Sequence, residues 1–293
     1  MTKNDFFEKC LKVAILSSFA LKLIAIVTMT LDHLGLLIYD YAVNDTLSEN
    51  LRNVGRFALP LFCFMIVEGV IHTRSFSKYI LRMGVIATAV LAAQIFMEYV
   101  MGYSLRQGNI FLDLILCALM IKCLMSDKWF IKLLAILPIA FSVLSYWMFS
   151  YEAVPQNGHI DAFPYFLRMQ YSLYSCIMAL GYYLCGRLGS IIAKNGGEAE
   201  ERILKNLFCA MSLVIVTLIN YFLEFSLDNG VIAGLSTDSD YNQQNYAMIS
   251  GVFILLYSGK RGYNAKWFKY GQYLYYPLHI LALFGIFTII FGY

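Results

Sequence analysis

Two residues in the first long apolar run, Lys22 and His33, are of types that hold anions and move protons. They stand eleven residues apart. In an α-helix that is three turns plus about 20°, so both fall on one face about 16 Å apart along the axis. Asp32 adjoins His33 but points about 100° away, so its partner must come from another helix. The next apolar run carries Arg56 near its start and Glu68 and His72 near its end. Antiparallel packing of the two runs sets Arg56 at the depth of Asp32 and Glu68 near Lys22. Arg74, Lys78 and Arg82 follow as a basic cluster, with Gln94, Glu98, Asn109 and Asp113 further along. An ionisable group at the centre of a spanning helix costs roughly 2.5–3.5 kcal/mol on insertion scales, so each of these residues points to function or to pairing.

A titratable His deep in one helix, a Lys on the same face and a basic cluster beside it are the parts needed to hold a polyanionic donor at one side and do acid/base chemistry further in. Each part also has a plainer reading. Asp32 with Arg56, and Lys22 with Glu68, read as structural ion pairs. His33 reads as a satisfied bundle histidine, and the basic cluster as a topology and headgroup signal. The convergence of the three favours chemistry.

These residues must be positioned inside a membrane. The chain has 293 residues, 60% apolar or aromatic and only 14% charged, against roughly 25% charged in a soluble domain. Apolar runs of about 16–27 residues match a hydrocarbon core about 30 Å thick. Hydropathy marks nine spans, near 13–39, 54–72, 79–101, 110–126, 129–149, 171–193, 203–225, 244–258 and 272–292. The expected fold is therefore an all-α polytopic bundle of about nine transmembrane helices, a single integral membrane domain over 1–293. The first span resembles a signal peptide but contains Lys22, Asp32 and His33 and lacks a small-residue cleavage site, so it is expected to be retained.

Lys and Arg concentrate in alternate loops: the N-terminal segment 1–12, Arg74 with Lys78, Lys122 with Lys128 and Lys132, Arg187 through Lys205, and Lys260 through Lys269. The other loops hold Arg52, Arg106 and Arg168 beside Asp40, Asp45, Glu49, Glu152, Asp161, Asp228, Asp238 and Asp240. The positive-inside rule then puts the N-terminus in the cytosol and the C-terminus outside. The polar outer loops 150–170 and 226–243 look like a cap over an outward-facing cavity. No repeat is recognisable. A net charge of +3 with scattered basic residues indicates membrane lipids and no nucleic acid. The seven cysteines lack disulfide or CxxC spacing and read as packing or lipid-facing residues. The four histidines, His33, His72, His159 and His279, lack ligand spacing, so no metal is expected.

LKLIAIVTMTLDHLGLLI (21–38), LRNVGRFALPLFCFMIVEGVIHTRSFSKYILRM (51–83) and the closing YLYYPLHILAL (273–283) resemble the TraX family of integral membrane proteins. The middle, from about 120 to 270, adds little to this beyond hydropathy. The resemblance implies an acetyltransferase that modifies the pilin subunit of conjugative pili from acetyl-CoA. It also implies kinship with a wider group of transmembrane acyltransferases, including polysaccharide O-acetyltransferases and the lysosomal heparan glucosaminide N-acetyltransferase. Many of that group carry a basic residue, ten intervening positions and a His in the first span, and Lys22 with His33 fits.

On this resemblance the chain is a membrane-embedded acyltransferase of the bacterial cytoplasmic (inner) membrane. It would pass acetyl from cytosolic acetyl-CoA to an amine or hydroxyl at or beyond the membrane, either a pilin-like peptide N-terminus or a glycan. Charged phosphates keep acetyl-CoA in the cytosol, so Lys22, Arg74, Lys78 and Arg82 are expected to meet them. His33 is the expected base or acyl carrier, with Asp32 and Arg56 fixing geometry or stabilising the oxyanion. Glu68 and His72 shape the donor pocket, and Tyr276 and His279 line it from the last span. By depth, His279 suits the donor side better than the acceptor chemistry of His33. The acyl acceptor stays open. The alternative reading is a proton- or ion-coupled transporter or flippase, since buried Asp, Glu, His and Lys also mark ion pathways.

Overall fold

The computed structural model describes residues 3–100, 102, 107–152, 157–158, 160, 162–226, 234–235 and 241–291. Arg106, His159, Asp161, Asp228, Asp238 and Asp240, with much of the two outer loops, lie outside the described residues. Among the described residues thirteen α-helices follow in chain order: α1 (Lys3–Val13), α2 (Ser18–Asp40), α3 (Asp45–Gly55), α4 (Ala58–His72), α5 (Phe76–Tyr99), α6 (Ile110–Leu124), α7 (Trp129–Leu133), α8 (Ile136–Glu152), α9 (Leu173–Ile192), α10 (Glu198–Ser226), α11 (Tyr241–Gln244), α12 (Ser250–Leu255) and α13 (Lys266–Phe291). Short 3-10 turns sit at Tyr165–Leu167 and Asn245–Ile249. Among the described residues the only strand-like pairing is a parallel bridge between Leu16 and Tyr257. The protein is an all-α polytopic membrane protein.

Seven helical stretches among the described residues are long and apolar enough to cross a bilayer: Ser18–Asp40, Asp45–His72, Phe76–Tyr99, Trp129–Glu152, Leu173–Ile192, Glu198–Leu223 and Leu274–Phe291. The remaining two expected spans are helical but short. Helix α6 has 15 residues, about 22 Å at the helical rise, and Asn245–Leu255 is shorter still. The first span is the single helix α2, preceded by a separate α1 that ends at Val13, whereas the second breaks at Arg56 and Phe57 between α3 and α4.

The chain forms two compact units. The first comprises Met1–Met65, Gly181–Thr217 and Asn242–Tyr293. Its centre is α2, packed against α3 and α13. Ser17 caps α2 by accepting from the Ala20 amide, and the amides of Ser18 and Phe19 donate to the carbonyls of Lys260 and Arg261. The α2–α3 hairpin is close because Gly35 and Gly55 lack a Cβ: one at Gly55 would overlap Asp32, and one at Gly35 would press on the Ser48 carbonyl and Arg52. Ser48 Oγ donates to the Gly35 carbonyl at 2.8 Å across that seam. Across the break after α3, Ser250 Oγ donates to the Phe57 carbonyl.

The second unit comprises Ile66–Leu180 and Leu218–Tyr241, where α6 packs against α5, α7 and α8. Its fixed point is Asp113, fully buried in α6. The carboxylate accepts from the amides of Gln170 (2.6 Å) and Tyr171 (3.0 Å) and from Ser175 Oγ (2.7 Å), which clamps the start of α9. Arg168 and Glu152, expected in a solvated outer loop, instead form a buried bidentate pair at 2.7 and 2.8 Å. Their side chains are 0% and 4% exposed, and the guanidinium lies over both the Phe149 and Tyr165 rings, which also touch each other. A charge of this kind in a low-dielectric setting needs both its partner and its donors satisfied, and Arg168 Nε completes the set by donating to the Phe163 carbonyl.

No disulfide joins the seven cysteines, and Cys63, Cys117, Cys176 and Cys209 are buried.

Candidate functional site

Helix α2 is continuous through both Lys22 and His33, so the one-face spacing read from the sequence stands. Lys22, Asp32 and His33 are half-buried. Within one turn of α2 the two adjacent polar residues go to different neighbours. Asp32 turns to the α3 side, where Arg56 NH2 donates to its Oδ1 at 2.9 Å. Arg56 is 2% and Asp32 19% exposed. The expected Asp32–Arg56 pair is therefore present, although Arg56 sits at the C-cap of α3, in the helix break, rather than inside a straight second span.

His33 turns to α13. Its Nδ1 lies 2.9 Å from Nε2 of His279, with ring centroids 5.0 Å apart. His279 is 6% exposed and tightly held. It stacks on Tyr275 at 5.0 Å and 6° between planes and meets Tyr276 edge-on at 5.5 Å. Its Nδ1 donates to the Tyr275 carbonyl at 3.0 Å. Tyr276 also lies edge-on to His33, at 6.1 Å. Thr30 Oγ1 donates to the Ile26 carbonyl. That uses its one proton, so Tyr275 OH is the donor in the 2.8 Å contact with Thr30 Oγ1.

The contact puts His279 level with His33 on the parallel helices α2 and α13. His279 is thirteen residues into α13 and His33 fifteen into α2, about 20 and 22 Å along parallel axes. The parallel register runs from Phe19 against Phe268 to Tyr41 against Phe287. Thr30 and Tyr275 were missed by sequence reasoning, yet each has a helical-spacing signal: Thr30 is three residues before His33 and Tyr275 four before His279.

The remaining candidates belong to the second unit. At the end of α4, His72 Nδ1 donates to the Glu68 carbonyl at 2.8 Å, with Glu68 Oε2 at 3.9 Å. Arg74 and Lys78 are exposed at the turn into α5 and Arg82 is half-buried one turn on. Ser75, the N-cap of α5, makes no side-chain cap bond. Arg82 Nε is buried without a hydrogen-bond partner among the described residues. Exposed cations, an uncapped helix start and an orphaned guanidinium N–H together suit an anionic group. Among the described residues no three His, Cys, Asp or Glu side chains are placed to hold a metal ion.

Comparison with known proteins adds a family. The model of the family described as TraX protein matches residues 17–195. The match includes Lys22, His33, Arg56 and the α5 cations, runs well into the middle that the sequence motifs left undistinguished, and stops before His279. A curated relative, the probable fimbrial assembly protein FimC, serogroup H1, of Dichelobacter nodosus, is 27% identical over 276 residues, 91% of this chain and 94% of that protein. No solved structure matches.

Proposed function

The chain belongs to the TraX family, and from that premise we propose that it is a membrane-embedded acyltransferase that takes acetyl from acetyl-CoA and passes it to an amine or hydroxyl at or beyond the membrane of a bacterial cell. The observation that carries the reading is the pair of imidazoles, His33 and His279, hydrogen-bonded to each other between two spanning helices. A base buried in apolar helices and held by a second ring suits proton removal from an acceptor in a water-poor site.

Acetyl-CoA supplies a thioester and three phosphate groups. Arg74, Lys78 and Arg82 fit the phosphates for the reasons of charge and orphaned N–H given above, and Lys22 adds a cation on the His33 face of α2. His33 holds the acceptor and takes its proton. Arg56, fixed by Asp32, supplies positive charge for the oxygen on which negative charge develops. The name of the Dichelobacter nodosus relative, a fimbrial assembly protein, favours a pilin-like peptide amino end as acceptor over a glycan hydroxyl.

The test uses the purified full-length protein in lipid nanodiscs with acetyl-CoA and either a pilin-like peptide or an oligosaccharide. Thiol release coupled to a 42 Da gain on one acceptor, lost in His33→Ala at equal expression, is the expected result. Absence of both thiol release and acceptor modification overturns the reading. Movement of substrate across reconstituted vesicles without acetyl-CoA would instead select the transport alternative.

A further inference from the structure

We propose that His279 is a positioning residue that sets the proton of His33, leaving the His33 Nε2 lone pair as the reactive one. The argument is an inventory of donors. The Tyr275 carbonyl can only accept, so His279 Nδ1, 3.0 Å away, must carry a proton. A neutral imidazole has one N–H, so His279 Nε2 is then an acceptor. It faces His33 Nδ1 at 2.9 Å, so that nitrogen must be the donor. His33 is thereby fixed with its proton on Nδ1 and its lone pair on Nε2. One backbone carbonyl on α13 thus decides the tautomer of a side chain on α2.

The two hydrogen bonds themselves oppose a half-turn of His279, which would put ring carbons where Nδ1 meets the Tyr275 carbonyl and Nε2 meets His33. The plane of the ring is set by stacking on Tyr275, itself anchored by its hydroxyl to Thr30. Tyr276 closes the edge against both imidazoles. The same bonds survive when His33 takes a second proton: Nδ1–H still donates to His279, which shares the positive charge as a neutral acceptor. A neutral orienting ring does not hold a permanent buried anion beside the base, which an Asp in the same place would.

For the acyl-transfer reading, on which the purpose of the device rests, the step balances as follows. The acceptor N–H or O–H gives its proton to His33 Nε2 as the acceptor atom bonds to the acyl carbon. The carbon–sulfur bond breaks, and the proton passes from Nε2 to the departing thiolate, regenerating the starting tautomer.

The experiment is 15N-histidine solid-state NMR of the full-length protein in lipid, with the His33 signals assigned by their loss in His33→Gln. The expected spectrum shows His33 protonated at Nδ1 and bare at Nε2, with a correlation across Nδ1–H to His279 Nε2. In His279→Leu the His33 proton moves toward Nε2, and in His279→Gln, whose amide oxygen can accept, it returns to Nδ1. His33 protonated at Nε2 in the unmutated protein, or unchanged in His279→Leu, overturns the proposal, and the first of these requires only the assignment variant His33→Gln to fold. In acetyl transfer, His279→Leu lowers kcat roughly a hundredfold at unchanged KM, and His279→Gln recovers most of that loss. If the tautomers come out as expected and no transfer occurs with any acceptor, the acyl-transfer reading fails while the positioning stands.

Discussion

Asp32 and Arg56 carry opposite charges at matching depth in consecutive apolar runs, which is why their pairing was legible in the sequence. Removing one partner leaves the other charge in a poorly solvated place. With Arg56 only 2% exposed, Asp32→Asn is expected to cost about 3 kcal/mol, seen as a lower unfolding temperature in detergent. The double change Asp32→Leu with Arg56→Met removes both charges and is expected to recover most of that stability but no acetyl transfer. Recovery of transfer as well would reduce the pair to a structural one. The pairing of His33 with His279 was not legible, because 245 residues separate the two positions in the chain and nothing local fixes which spans pack side by side. Arg168 and Glu152 were misread for a related reason. Two charges near an outer loop look solvated, and nothing local shows the guanidinium packed against the Phe149 and Tyr165 rings. Arg168→Lys keeps the charge but loses the bidentate fork and the ring stacking. It is expected to destabilise the protein by about 2 kcal/mol or more, measured by the same thermal unfolding.

At the scale of elements, α2 is held from two sides, and both contacts depend on features that hydropathy does not weigh. The α3 side depends on absent side chains. Adding one methyl at Gly55 drives it into Asp32, so Gly55→Ala is expected to cost about 1–3 kcal/mol by overpacking and to loosen the Asp32–Arg56 bond. Gly84, with nothing within 4 Å of an added Cβ, is the matched control, where Ala is expected to be neutral or to stabilise α5 slightly. The element content itself was readable, because each expected span contains a helix. Its subdivision was readable only in part. Pro60 lacks the N–H that would meet the Arg56 carbonyl, and its ring crowds that carbonyl, which marks a break at Arg56 and Phe57. The Ser250 hydroxyl that meets the Phe57 carbonyl comes from about two hundred residues away. The clamp of Asp113 on the start of α9 is equally non-local: one carboxylate satisfies two backbone amides and a hydroxyl. Asp113→Ala leaves those donors buried and unmet, at about 3 kcal/mol or more, whereas Ser175→Ala removes one hydroxyl, shared between Asp113 and the Ser172 carbonyl, and costs about 1–2 kcal/mol. Thermal unfolding of the two variants side by side checks that order.

For the whole molecule, the number of crossings decides which loops meet the cytosol, and two readings compete. Length and hydropathy give seven crossings. The parallel register of α2 and α13 requires an odd number between first and last inclusive, which seven and nine both satisfy. Loop charge separates them. With seven crossings and a cytosolic N-terminus, α6 and Asn245–Leu255 do not cross, which puts Lys122, Lys128, Lys132, Lys194 and Lys205 outside, against the positive-inside rule. If both short helices cross, all of these return to the cytosol with Arg74 and Lys78. A helix of about 22 Å is shorter than the hydrocarbon core, but neighbouring helices and local thinning accommodate such a mismatch at fractions of a kcal/mol per Å. Asp113, buried in α6, is also better placed in a crossing helix enclosed by others than in one lying at the surface. Nine crossings are therefore expected. Single cysteines at the exposed positions Lys128 and Lys194, in a background with the seven native cysteines replaced, check it. An impermeant maleimide applied to intact spheroplasts should leave both unlabelled until the membrane is opened, while a cysteine at exposed Glu49 should be labelled at once. Immediate labelling at Lys128 and Lys194 would show that α6 and Asn245–Leu255 do not cross, and would put the loop between α9 and α10 on the outer face.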